Sequence, residues 1–153
     1  MSLEDDIRIL QRVRLLEGFT PEQLRLLAFG AESLRIKAGR ELYVEGSETE
    51  CAFVIASGEV ELFREADGKR TVAGRARPGA MLGELALIAG GKRPTGAVAI
   101  SDTEVIRLNR SLFRRILEEY PDVAASLQRR ITGELNELIS KLDRVKSRFA
   151  GDA

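Results

Sequence analysis

Histidine and tryptophan are absent from this chain, cysteine occurs once as Cys51, and proline only four times in 153 residues. Without imidazole there is no Ser–His or Cys–His nucleophilic pair, and the commonest side-chain ligand of transition metals is gone. A lone cysteine allows neither an internal disulfide nor a thiolate metal cluster. Within the run CAFVI it reads as a small core residue. No apolar stretch approaches the roughly 18 residues of a membrane span. The acidic start, MSLEDDIRIL, has neither the basic nor the apolar region of a secretory leader. An excess of one charge is missing too, since 24 Lys and Arg balance 24 Asp and Glu. No overall field therefore draws the chain to nucleic acid. The expectation is a cytoplasmic, non-enzymatic chain with no metal, no cofactor, no membrane contact and no direct DNA binding.

What is present suits one domain spanning 1–153, because 44% of the residues are hydrophobic and 31% charged. The segment SLEDDIRILQRVRLL carries a helical stripe through Leu3, Ile7 and Leu10. In FTPEQLRLLAFGAESL, Thr20 reads as an N-cap, Pro21 as the first helical residue and Gln23 as the partner in a capping box. Phe19 and Leu24 are spaced as a hydrophobic staple across that cap. These helices are expected over 3–33, and strands over 35–108. The strand runs are short and punctuated by Gly39, Gly46, Gly58, Gly68 and Gly79, and ADGK at 66–69 signals a hairpin. Connections this short exclude crossover helices. The predicted class is α+β, mainly β: an antiparallel jelly-roll-like β-roll flanked by N-terminal helices and a long C-terminal helix.

After Leu108 the helical period returns. A short amphipathic helix is expected over 110–119, with Leu112, Phe113, Ile116 and Leu117 on its apolar face. Pro121 opens a long helix over 121–149, roughly 29 residues or about 43 Å. From Leu135 its apolar positions, Leu135, Leu138, Leu142, Val145 and Phe149, follow the spacing of a coiled-coil seam. Such a helix outruns a small roll, and its far half needs another cover, which predicts a homodimer. Gly133 weakens it by about 1 kcal/mol relative to alanine.

The stretch GELALIAGGKRPTGAV, 83–98, sets an acid at one end of an apolar run and a Lys-Arg-Pro at the other. Taken alone, Glu84 and Arg93 would make a commonplace ion pair in a structural turn. In the order helix, glycine-punctuated roll, short helix, long helix, the stretch resembles the phosphate-binding cassette of the cyclic-nucleotide-binding domain family. That family includes the catabolite activator protein, regulatory subunits of cyclic-nucleotide-dependent kinases, and the tails of gated channels. Gly83, Glu84, Leu85, Ala86 and Leu87 match its Gly-Glu-Leu-Ala-Leu run, and Arg93 follows at the expected distance. The glycines of AGRELYVEGSE, IASGEVEL and RPGAMLGE match turns of the roll, so the resemblance covers nearly the whole chain from about Leu10.

The resemblance implies a cyclic nucleotide, cAMP or cGMP, as ligand. Amides of Leu85 and Ala86 would face its phosphate, and a planar guanidinium such as Arg93 can bond two phosphate oxygens. Glu84 would accept the ribose hydroxyl, and Leu82 would give apolar cover. Two departures stand out. Pro94, after the arginine, has no N–H to offer, so Thr95 is the candidate donor instead, and Gly96 replaces a threonine common in the family. Counting along the last helix places Leu138 and Ile139 where some members cap the base, with Asn136 and Ser140 nearby.

The leading expectation is a stand-alone regulatory module, with no helix-turn-helix output domain, signalling through its terminal helices to a dimer or an effector protein. The alternative is a degenerate fold that has lost its ligand and serves as a dimeric interaction domain. A third reading makes Gly133 the turn of a helix-turn-helix, with Arg129 and Arg130 on phosphates. A cupin-like enzyme is the weakest reading, for want of histidines.

Overall fold

The computed structural model of the chain describes residues 2–87, 90–130, 132–133 and 139–140, with 85 and 86 by backbone alone. α1 (Leu3–Gln11) is capped by Ser2, whose hydroxyl accepts from the Asp5 amide at 3.2 Å while the Asp5 carboxylate accepts from the Ser2 amide at 3.3 Å. The capping box expected at Thr20 starts α2 (Pro21–Gly30). There Thr20 Oγ1 accepts from the Gln23 amide at 3.2 Å, and Gln23 Oε1 from the Thr20 amide at 2.9 Å. The opening helical pattern is not one helix: α1 gives way to a 3-10 turn at Arg14–Leu16. Val13, Leu15 and Leu16 are all buried, and positions two apart lie on opposite sides of an α-helix, so no single helical stripe could cover them.

Eight strands follow: β1 (Glu32–Ile36), β2 (Glu41–Tyr43), β3 (Cys51–Ser57), β4 (Val60–Ala66), β5 (Lys69–Ala76), β6 (Met81–Leu82), β7 (Gly96–Ala99) and β8 (Thr103–Asn109). They form two four-stranded sheets, ordered β1-β8-β3-β6 and β2-β7-β4-β5. Every pairing is antiparallel, as the short connections required. β1 begins at Glu32, inside the span read as helical, because Glu32, Ser33 and Arg35 of this edge strand are exposed and hide its alternation. The β4–β5 turn has Asp67 at φ 53° and Gly68 at φ 76°, the two positive values of a tight hairpin.

β3 explains the two-layered core. Its side chains alternate, so Ala52, Val54 and Ala56 join the helices in one cluster with Leu10, Leu27 and Phe113. Cys51, Phe53 and Ile55 face the roll interior with Val60, Leu82 and Ala97. An apolar run that looks featureless in sequence is therefore buried on both faces. β8 divides the same way, Val105 toward the roll interior and Ile106 and Leu108 toward the helices.

α3 (Arg110–Glu119) buries Phe113 and Ile116, and the Phe113 ring stacks on Phe19 at 6.1 Å. Residues 121–130 are helical from Pro121, with Val123 and Leu127 buried. Thr132 and Gly133 are helical too, which removes the turn that a helix-turn-helix at Gly133 needs. The seam residues Leu135, Leu138, Leu142, Val145 and Phe149, and with them Asn136, lie outside the described residues.

Candidate functional site

The connection from β6 to β7 is shaped by glycines at positive φ. Gly83, at φ 87°, turns the chain from β6 into the 3-10 turn Glu84–Leu87, and Gly91, at φ 119°, lies before Arg93. The far end of the connection is pinned to the loop after β2. The Arg93 amide donates to the Ser47 carbonyl, the Gly46 amide to the Arg93 carbonyl, and the Thr49 amide to the Gly91 carbonyl, each at 2.8 Å. The Thr49 hydroxyl donates to that same Gly91 carbonyl.

This pinning drives the Arg93 side chain inward until only 4% of the residue is exposed. Its guanidinium lies 4.1 Å from the centre of the Tyr43 ring and 5.6 Å from that of Phe53. Nη2 donates to the Cys51 carbonyl at 2.8 Å, with the Cys51 sulfur 3.6 Å away. Nε and Nη1 have no partner among the described residues. A Cβ on Gly83 would sit 2.5 Å from Nη1, so glycine is demanded there both by backbone conformation and by the approach of the cation.

Burying a guanidinium costs several kcal/mol unless its donors are met. Here the unmet donors belong to a residue lining a cavity of about 580 Å³, within the usual size of small-molecule sites. Leu62 and Leu82 give it apolar wall, while Gly83, Glu84 and Thr95 add backbone, carboxylate and hydroxyl. Burial pushes the Tyr43 phenol up, against the opposing pull of the Arg93 charge and the neighbouring Thr95 side chain. The arrangement suits an anion, with a buried guanidinium and Lys92 in the lining, an aromatic floor and an apolar flank.

The expected residues therefore converge. Leu82, Gly83, Glu84, Arg93 and Thr95 line one cavity. Leu85 and Ala86 lie in the 3-10 turn. Pro94 lines the cavity as well, exposed and without an N–H. Gly96 has a packing reason: it pairs with Phe63, and a Cβ there would meet the Phe63 ring at 2.6 Å. Of the residues proposed near a base, Ile139 and Ser140 are helical and exposed, while Leu138 and Asn136 fall outside the described residues. Tyr43, Thr49 and Cys51 were not foreseen at the site. Their roles come from sheet register and from a carbonyl, and no local motif signals either. Among the described residues, no group of three or more His, Cys, Asp or Glu could hold a metal ion, and no helix is long and apolar enough to cross a membrane.

Known proteins share this sequence pattern and fold. A structure of a cyclic nucleotide-binding-like protein from Brucella abortus is 60% identical, covers 74% of this chain and 98% of its own, and superposes with a TM-score of 0.69. The regulatory domain of Toxoplasma gondii PKA, solved with cAMP, is 28% identical over 74% of this chain and 44% of its own, with a TM-score of 0.70. Lysophospholipase nte1 of Aspergillus oryzae is 29% identical over 87% of this chain, which spans only 9% of that protein. The family model of the cyclic nucleotide-binding domain matches residues 33–120. Its span takes in both sheets, the turn at Gly83 and the buried arginine, and the chain belongs to the cyclic nucleotide-binding domain family.

Proposed function

We propose that the chain binds a cyclic nucleoside monophosphate at Arg93 and acts as a regulatory module through its helices. The observation that carries this reading is the buried Arg93 guanidinium, whose Nε and Nη1 have no partner among the described residues while the residue lines an open cavity. A phosphate placed there meets a cation already desolvated and held flat by Tyr43. Glu84 accepts the ribose hydroxyl, Thr95 supplies the hydroxyl donor in place of the amide Pro94 lacks, and Leu82 covers the sugar. The cAMP in the Toxoplasma PKA domain supports a purine cyclic nucleotide as the ligand class.

Transmission runs through Leu87. It closes the 3-10 turn beside the site, yet its side chain is buried in the helix-side cluster with Phe113 and Ile116. A ligand that draws in the Glu84–Leu87 turn therefore moves a residue packed on α3. Output then passes to a second copy through the seam from Leu135 to Phe149, or to an effector protein in the cytoplasm.

Thermal unfolding with cAMP and with cGMP tests the reading. At about 100 times its dissociation constant a ligand adds about 2.7 kcal/mol of stability. A second reading, an interaction domain that no longer binds nucleotide, rests on Pro94, which leaves position 94 without a backbone donor. No shift in Tm with either nucleotide at millimolar concentration, in a chain that unfolds cooperatively, would select it.

A further inference from the structure

A second cavity, of about 360 Å³, lies where β8 passes into α3 and is lined by Glu50, Arg107, Asn109, Arg110, Ser111 and Arg114. Three guanidiniums face one carboxylate there, in a chain whose net charge is zero. Arg107 is engaged by Glu32 at 3.4 Å, but Arg110 and Arg114 form no ion pair among the described residues. These two stand four apart, on one face of α3. The Arg110 Nε is buried and has no hydrogen-bond partner among the described residues. The Arg110 amide is taken by the Glu50 carbonyl at 3.0 Å, and the Asn109 side chain does not cap the helix.

The geometry points to a second anion site here, distinct from the Arg93 cavity and suited to a diphosphate group. Chemistry favours phosphoryl oxygens over a lone carboxylate: two unpaired guanidiniums, supplemented by Asn109 and Ser111 side chains, offer more donors than one carboxylate accepts. The Arg110 side chain also connects the cavities. Gly90 lines the Arg93 site, and a Cβ on it would lie 2.7 Å from Arg110 Nη1. An anion that pulls the Arg110 guanidinium outward relaxes its contact with Gly90, at the end of the turn that shapes the first site.

The inference does not depend on cyclic-nucleotide binding, and its test keeps the two apart. Inorganic pyrophosphate is titrated into the wild-type chain and into Arg93→Ala, following backbone amide signals at low salt. The expected result is saturable shifts at Arg110, Ser111 and Gly90 in both proteins. Arg114→Glu, at an exposed position that leaves the core intact, weakens the apparent affinity by about tenfold or more, and Arg110→Gln does the same. Adenosine triphosphate in a parallel arm identifies the source: tighter binding than pyrophosphate assigns the site to a nucleotide, and equal binding to a free diphosphate. No saturable shift at millimolar pyrophosphate overturns the inference. So does binding that Arg114→Glu leaves unchanged, or that vanishes in Arg93→Ala.

Discussion

The two sides of the β3 sheet each bury one charged residue, and the two burials differ in kind. On the roll side Arg93 is 4% exposed, and on the helix side Asp6 is 7% exposed. Both leave atoms without partners among the described residues: Nε and Nη1 of the arginine, Oδ1 of the aspartate. Asp6 accepts a single hydrogen bond, from the Ser33 hydroxyl at 3.3 Å. Its environment has raised its carboxyl pKa, burial outweighing that bond. It can shed its charge by taking a proton, whereas a guanidinium cannot. Arg93 instead faces a cavity, where an anion can do what the protein does not. An orphaned buried charge that lines a cavity and cannot be discharged points to a ligand, while one that a proton can neutralise points to a titration.

The contrast can be broken most sharply at Arg93. Arg93→Ala should lower cyclic-nucleotide affinity by about 2–5 kcal/mol, roughly 30-fold to several thousand-fold, as read by calorimetric titration. Arg93→Lys should recover only part, since an ammonium cannot present planar paired donors. Gly83→Ala comes next. It forces a Cβ into a residue at φ 87° and within 2.5 Å of Arg93 Nη1. Denaturant unfolding should show a loss of about 1–3 kcal/mol, together with weaker ligand binding as the guanidinium is displaced. Pro94→Ala supplies an N–H at a position where none exists, and affinity should rise by about tenfold or more, the worth of one bond to a charged acceptor. A fall in affinity would mean that the ring holds the Arg93 backbone in place.

The smallest effect belongs to Asp6. Because its folded pKa is raised, the native state holds this proton more tightly than the unfolded chain does. Its contribution is fully present below the ordinary value of 3.8 and is lost as pH rises through the folded value. Asp6→Asn keeps the shape without the charge, so the Tm difference between variant and wild type should widen as pH rises from about pH 4 through the raised folded value. A difference independent of pH in that window would show that Asp6 is charged in the fold.

Much of this was legible in the sequence, for reasons that can be stated. Capping at Thr20, the hairpin at Asp67–Gly68 and the helix after Leu108 are local, each fixed by a few neighbours. Arg93 was legible through the resemblance of the stretch from Gly83 to the family's phosphate-binding cassette. Its partners were not, because Cys51 contributes a backbone carbonyl and Tyr43 arrives through the pairing of β2 with β7. Neither leaves a mark in residue type. The break between α1 and the 3-10 turn was hidden because each side of it is apolar and helical in spacing. β1 was masked by its charged edge, where Glu32 pairs with Arg107 and Arg35 with Glu104.

The alternation of β3 gives the molecule a rule of parity. Cys51, Phe53 and Ile55 look toward the roll interior, and Ala52, Val54 and Ala56 toward the helices. Substitutions at odd positions should therefore tune what is sensed, and those at even positions what is transmitted, although neighbours in the chain touch through the same peptide bonds. A one-residue insertion in this strand would exchange the two audiences at once, setting alanines toward the roll interior and a phenylalanine against the helices. The strand works as a partition wall, and its thickness of a single residue keeps the two cores adjacent but separately adjustable.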